Sequence, residues 1–179
     1  MFDLDGTLVD TNYASYLAYK KAMKEVLLCD INYTCVRNGR FTRETFRRMF
    51  PSVTAIDEKN IVKLKNQYYS KYLSSTSLNT TLFELIMATY NSKEIILVTN
   101  SHEERAMITL QYHNLNRYFS KVLTKENYGG YNKYLYAVNY LQVDTASTVV
   151  FENEKAEIDA AIRTGIPNDN IIKITNKYF

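Results

Sequence analysis

Two aspartates stand one residue apart near the start of the chain, in MFDLDGTLVDT. In an extended segment residues i and i+2 share a face, which would set Asp3 and Asp5 side by side. Neighbouring carboxylates repel unless a cation lies between them or one of them holds a proton. Gly6 permits a sharp turn just after them, and Thr7 adds a hydroxyl. Paired carboxylates on a turn suit nucleophilic attack, proton transfer or cation binding.

The elements that must position them follow from the rest of the chain. KEIILVTNS, SKVLT, STVVFENE and NIIKITN are short apolar runs that read as strands. They alternate with LFELIMATY, ERAMITLQYH, NKYLYAVNYL and EIDAAIRTG, which read as helices. Such alternation implies a parallel sheet covered on both faces, and the opening run must join it. Function in open sheets of this kind collects at the carboxyl ends of the strands. Those ends deliver Thr99, Asn100 and Ser101 from one strand and Glu152, Asn153 and Glu154 from another. Lys133 begins a helix on the same rim. Carboxylates, a hydroxyl, a lysine and turn amides make an oxyanion site with room for a hard cation, and oxygen donors of this type suit Mg²⁺. Between Asn12 and Ser77 the pattern is polar and helical, with Pro51 dividing it and Asp10 and Thr11 as candidate caps. The expected architecture is therefore an α/β core from residues 1–11 and 82–179, with a helical insertion over 12–81.

DLDGTLVD resembles the first motif of the haloacid dehalogenase superfamily, in its phosphoglycolate phosphatase and β-phosphoglucomutase branch. Ile95–Asn100 is similar to the second motif, Lys133 to the third, and VVFENEKAEIDAAIRTGIP to the fourth. The resemblance implies a three-layer Rossmann-like core with a small helical cap after the first strand. It implies a phosphatase for a small phosphorylated metabolite, with Asp3 as nucleophile through an aspartyl-phosphate and Asp5 as general acid and base. Thr99, the Asn100 amide and Lys133 would hold phosphoryl oxygens. Mg²⁺ would be held by Asp3, the main-chain oxygen of Asp5, and the fourth motif at Glu152 and Asn153.

The chain departs from this pattern at Asn153, where the family carries an aspartate. An amide oxygen can ligate Mg²⁺ but brings no charge. Glu157, one helical turn on, is a candidate supporting acid, and Glu154 is another. Two further readings follow. One is a phosphomutase of the β-phosphoglucomutase type, suggested by RNGRFTRETF. The other is a catalytically reduced domain with a weakened metal site.

Composition narrows the class. The chain has 179 residues, 46% of them hydrophobic, and a formal net charge of +3. That supports a buried core and does not call for nucleic acid. No apolar run reaches the length of a bilayer span, and the start does not read as a secretion signal. Cys29 and Cys35 read as thiols of a reducing compartment, so the expected location is cytoplasmic with no membrane partner. His102 and His113 have no ligand spacing. Arg37, Arg40, Arg43, Arg47 and Arg48 crowd the insertion, either as a solvated basic face or as a grip on an anionic leaving group. The oligomeric state has no signature in the sequence.

Overall fold

The computed structural model describes residues 1–31 and 41–175. The chain divides into two compact units, Met1–Asp10 with Ser77–Phe179, and Thr11–Thr76.

The first unit is an α/β layer structure. Its strands are β3 (Ile96–Val98), β4 (Lys121–Leu123), β5 (Val150–Glu152) and β6 (Ile171–Lys173). β3 pairs with β4 and β5 with β6, each in parallel register. The opening segment closes the gap between these pairs. Phe2 bridges in parallel to Leu97 on one side and Phe151 on the other. Its N–H donates to Ile96 O at 2.9 Å, and the Asp3 N–H donates to Phe151 O at 3.0 Å. The order is thus β4, β3, opening segment, β5, β6. A central segment meets apolar neighbours on both faces, which explains the unbroken apolar run of β3. Phe2 stacks on Phe151 with ring centroids 4.5 Å apart.

The flanking helices are α4 (Thr80–Thr89), α5 (Glu103–Tyr112), α6 (Lys125–Tyr128), α7 (Lys133–Leu141) and α8 (Lys155–Arg163). One core gathers Leu4, Leu8, Ile86, Leu97, Leu110 and Leu115. A second gathers Ile96, Val98, Tyr134, Ala137, Val150 and Ala161. α4 begins two residues before the apolar run at Leu82, because Asn79 caps it by accepting the Leu82 N–H at 3.1 Å.

The extended geometry expected through Asp5 ends at Asp3. The Leu4 carbonyl already accepts the N–H groups of Thr7, Leu8 and Val9, so the chain turns at once. Gly6 has φ +85°, the left-handed region that glycine enters without strain. The turn, rather than strand alternation, sets the direction of Asp5. It delivers the chain to β1 (Val9–Asp10), which pairs antiparallel with β2 (Ser77–Leu78). That pairing makes residue 77 the point of return to the first unit, ahead of the residue 82 read from the sequence.

The second unit holds α1 (Asn12–Leu27), α2 (Arg43–Met49), α3 (Ala55–Tyr69) and a 3₁₀ segment, Ser70–Ser75. Tyr16, Tyr19, Met23, Phe41, Phe46 and Ile61 form its core. Thr42 caps α2 and Thr54 caps α3 through their side chains. Thr11 occupies the N-cap position of α1 without a side-chain cap bond. Arg43 and Arg47 both pair with Glu58, so their charge is spent within this unit. Cys35, Arg37 and Arg40 lie outside the described residues. Among the described residues no helix is long and apolar enough to cross a membrane.

Candidate active site

Lys133 enters the pocket as the first residue of α7. Its N-cap Asn132 accepts the N–H groups of Tyr134 and Leu135 at 3.0 and 3.2 Å, which fixes where the helix starts. The ammonium lies 2.7 Å from Asp3 Oδ1 and 2.8 Å from Glu152 Oε2. Its side chain is 1% exposed. Burial works against the ammonium, but the two carboxylates beside it outweigh that cost and move its pKa up.

Asp3 sits at the end of the central segment. Burial and the nearby Glu152 carboxylate push its pKa up against the pull of Lys133, and Asp5 pushes the same way. One lysine is shared by two acids, so it cannot fully balance both. Asp3 Oδ2 has no protein donor among the described residues, and it is not a fully buried atom. It is the open oxygen of the pair.

Glu152 ends β5 and is closed on every side. Oε2 accepts from Lys133 and from the Tyr134 hydroxyl, the latter at 2.7 Å. Oε1 accepts the N–H groups of Asn153 and Glu154 at 2.8 and 2.9 Å. Both oxygens are therefore used internally, and the residue is fully buried. Burial and Glu152 together raise the Tyr134 phenol well above its usual pKa, so it stays a donor.

Asp5 is held from the other side. Its Oδ1 takes Arg105 Nη2 at 2.7 Å, and its Oδ2 takes the Ser101 hydroxyl. Ser101 is positioned in turn by its own N–H, which donates to Thr99 Oγ1 at 3.1 Å. The Tyr128 hydroxyl lies 2.8 Å from Thr99 O and 2.7 Å from Asn100 Oδ1, bracing the end of β3. The Asn100 main-chain N–H has no protein acceptor among the described residues.

Asn153 lies over the turn. Its Oδ1 accepts the Thr7 hydroxyl at 3.0 Å. Its Nδ2 packs so closely on Gly6 that a Cβ there would fall 2.5 Å away. Glu157 sits in the first turn of α8 and makes no side-chain hydrogen bond to this network.

These donors fit a divalent cation poorly. Mg²⁺ asks for near-octahedral oxygens and favours carboxylates. Asp5 and Glu152 have their carboxylate oxygens occupied and Asn153 is neutral with its carbonyl on Thr7, so among the side chains of the expected ligands Asp3 Oδ2 alone stays open, with the main-chain oxygen of Asp5 as the other expected ligand. No group of three or more His, Cys, Asp or Glu side chains is placed to hold a metal among the described residues.

Residues 1–168 match the haloacid dehalogenase-like hydrolase family. The chain belongs to that family. A 78-residue stretch is 33% identical to 2-deoxyglucose-6-phosphate phosphatase 1 of Saccharomyces cerevisiae, covering 44% of this chain and 32% of that protein. The match therefore spans about a third of the yeast relative's length. Among solved structures, a predicted phosphoglycolate phosphatase from Haemophilus somnus aligns with TM-score 0.79 at 18% identity, covering 97% of this chain and 83% of the other. A haloacid dehalogenase-like family hydrolase from Streptococcus pneumoniae aligns with TM-score 0.78 at 19% identity, covering 97% and 82%. At such identities the two structures establish the α/β haloacid dehalogenase-like fold alone.

Within this haloacid dehalogenase-like hydrolase the structure links Asp3, Lys133 and Glu152 directly, and ties Asp5 to the end of β3 through Ser101. Asn153 joins through Thr7, while Glu157 makes no hydrogen bond to the network but lies near enough for its charge to help raise the Tyr134 pKa. The sequence reading had no role for Arg105 or Tyr134. Ser101 lies just before the α5 N-cap, His102, and Arg105 in the first turn of α5, and no spacing rule in the sequence pairs them. Tyr134 carries no such signal.

Proposed function

We propose that the chain is a phosphatase acting on a small phosphorylated metabolite through an aspartyl-phosphate. The observation that carries this reading is the open Oδ2 of Asp3, set beside a buried lysine whose charge Glu152 anchors from behind. Oδ2 attacks phosphorus, the bond from phosphorus to the leaving oxygen breaks, and Asp5 gives that oxygen its proton. Lys133, Thr99 and the Asn100 N–H receive the phosphoryl oxygens, where a fixed cation and dipoles stabilise the growing charge. Water then attacks the phosphorylated Asp3, Asp5 takes its proton, and phosphate leaves. Arg105 Nη2 and the Ser101 hydroxyl fix the Asp5 carboxylate in place for both steps.

Family membership supports hydrolase chemistry, and the yeast relative named for a sugar phosphate supports the substrate class. The resemblance also implies Mg²⁺. Since the donor set fits it poorly, no step here runs through a metal. A reduced, non-catalytic domain is the second reading, favoured by neutral Asn153 and the closed Glu152. Release of p-nitrophenol from p-nitrophenyl phosphate decides between them. Turnover that vanishes in Asp3→Asn supports the enzyme, and equal inertness of both proteins supports the reduced domain.

A further inference from the structure

Three carboxylates, Asp3, Asp5 and Glu152, meet two fixed cations in this unit. Lys133 serves Asp3 and Glu152. Arg105 serves Asp5 at 2.7 Å, with 17% of the Arg105 side chain and 4% of the Asp5 side chain exposed. A guanidinium cannot lose its proton at any working pH, so this positive charge is permanent. It is also locally fixed, because α5 is anchored one turn upstream where Ser101 bonds the other oxygen of Asp5.

A dication would enter this arrangement at a loss. It would have to displace Lys133 or Tyr134 from Glu152, or Thr7 from Asn153, to gain side-chain oxygens beyond Asp3 Oδ2 and the main-chain oxygen of Asp5. Displaced donors would be left buried without acceptors, which is costly. Asn153 would repay none of that cost in charge. The attraction that normally draws Mg²⁺ to clustered carboxylates is already answered by Arg105 and Lys133.

We infer that this pocket holds its phosphate oxyanion without a divalent cation, the charge a metal would bring being supplied by Arg105 on Asp5 together with Lys133 on Asp3. Arg105 is a positioning residue here: it acts through Asp5 by cancelling its charge and fixing its carboxylate. The inference rests on the phosphatase reading for the identity of the anion.

Calorimetric titration of inorganic phosphate into metal-stripped protein tests it, with EDTA in one arm and excess Mg²⁺ in the other. The expected result is affinity equal within about twofold in both arms. A direct Mg²⁺ titration without phosphate should give no saturable heat. Arg105→Gln should weaken phosphate binding in EDTA by about tenfold or more, the scale of a lost charge interaction, while Arg105→Lys keeps most of it. The Lys variant separates charge from packing, and the wild-type comparison stands even if Arg105→Gln fails to fold. Phosphate binding that requires Mg²⁺ overturns this inference and leaves the phosphatase reading intact. Phosphate affinity unchanged in Arg105→Gln overturns it as well. Phosphate bound in neither arm overturns both readings together.

Discussion

The Lys133 ammonium lies 2.7 Å from Asp3 Oδ1 inside a pocket where neither side chain is more than 8% exposed. Both ends of this pair depend on the contact, because an unpaired buried charge costs far more than a paired one repays. Lys133→Met should therefore destabilise the protein by about 3–5 kcal/mol, since it leaves Asp3 and Glu152 facing each other without a cation. Urea unfolding at neutral pH measures the loss. A loss below about 1 kcal/mol would place Lys133 among ordinary surface lysines.

Asp3 carries the opposite signature. Burial first, and then Glu152, raise its pKa from 3.8 to about 7 in the folded protein. The folded state thus keeps a proton that the unfolded chain releases. The stabilisation this gives is fully present below the unfolded pKa and is lost as pH rises through the folded one. The Asp3→Asn variant cannot ionise there. Its melting temperature should exceed that of the wild type by a margin that widens from about pH 5 to about pH 8. A margin that stays constant across this range would mean that the carboxyl is not held protonated by the fold.

Much of this was legible in the sequence, for identifiable reasons. The strands announced themselves because central parallel strands are buried on both faces and carry unbroken apolar runs, as Ile96–Val98 does. Strand ends then placed Thr99 and Glu152 on one rim. The partners of those residues were harder to see. Arg105 lies within an amphipathic helix, where one polar residue turned inward looks like any other on the solvated face. Tyr134 follows Lys133 directly and reads as core. The turn at Leu4 was hidden too, because an extended segment and a tight loop put Asp5 beside Asp3 equally well on paper. Asn153 was visible as a departure, but that its carbonyl serves Thr7 needed coordinates.

The Arg105 contact has a consequence for substrate choice. Arg105 Nη2 occupies Asp5 Oδ1 at 2.7 Å, so a proton carried on that oxygen for a leaving group has to displace the guanidinium. An aryl phosphate such as p-nitrophenyl phosphate expels a stable anion and needs no proton from the enzyme. An alkyl phosphate does. The ratio of kcat/KM for the aryl over the alkyl substrate should be large in the wild type and fall by about tenfold in Arg105→Gln. A ratio unmoved by the substitution would show that Asp5 donates its proton regardless of the arginine.

Tyr134→Phe isolates the last contact of Glu152. The hydroxyl donates at 2.7 Å to a carboxylate oxygen that Lys133 also holds, and the other oxygen keeps two main-chain amides. The expected cost is about 1–2 kcal/mol in urea unfolding, with phosphate affinity nearly unchanged, because Lys133 remains anchored. A large fall in phosphate affinity at normal stability would instead make Tyr134 a direct contact of the anion.

The packing of Asn153 on Gly6 can be measured as a coupling. Gly6→Ala meets two separate obstacles: a left-handed φ of +85°, and a Cβ 2.5 Å from Asn153 Nδ2. The first costs about 1–3 kcal/mol whatever lies nearby. The second disappears when Asn153 is truncated. In a double-mutant cycle, Gly6→Ala on the Asn153→Ala background should therefore cost about 1 kcal/mol less than on the wild type, yet remain destabilising. Asn153→Ala alone also strips the acceptor from the Thr7 hydroxyl, which is fully buried, so its own cost should be about 1–2 kcal/mol. Additive effects in the cycle would mean that the asparagine moves aside freely. In that case its amide is not fixed over the turn, and its carbonyl could be released from Thr7 to meet a cation after all.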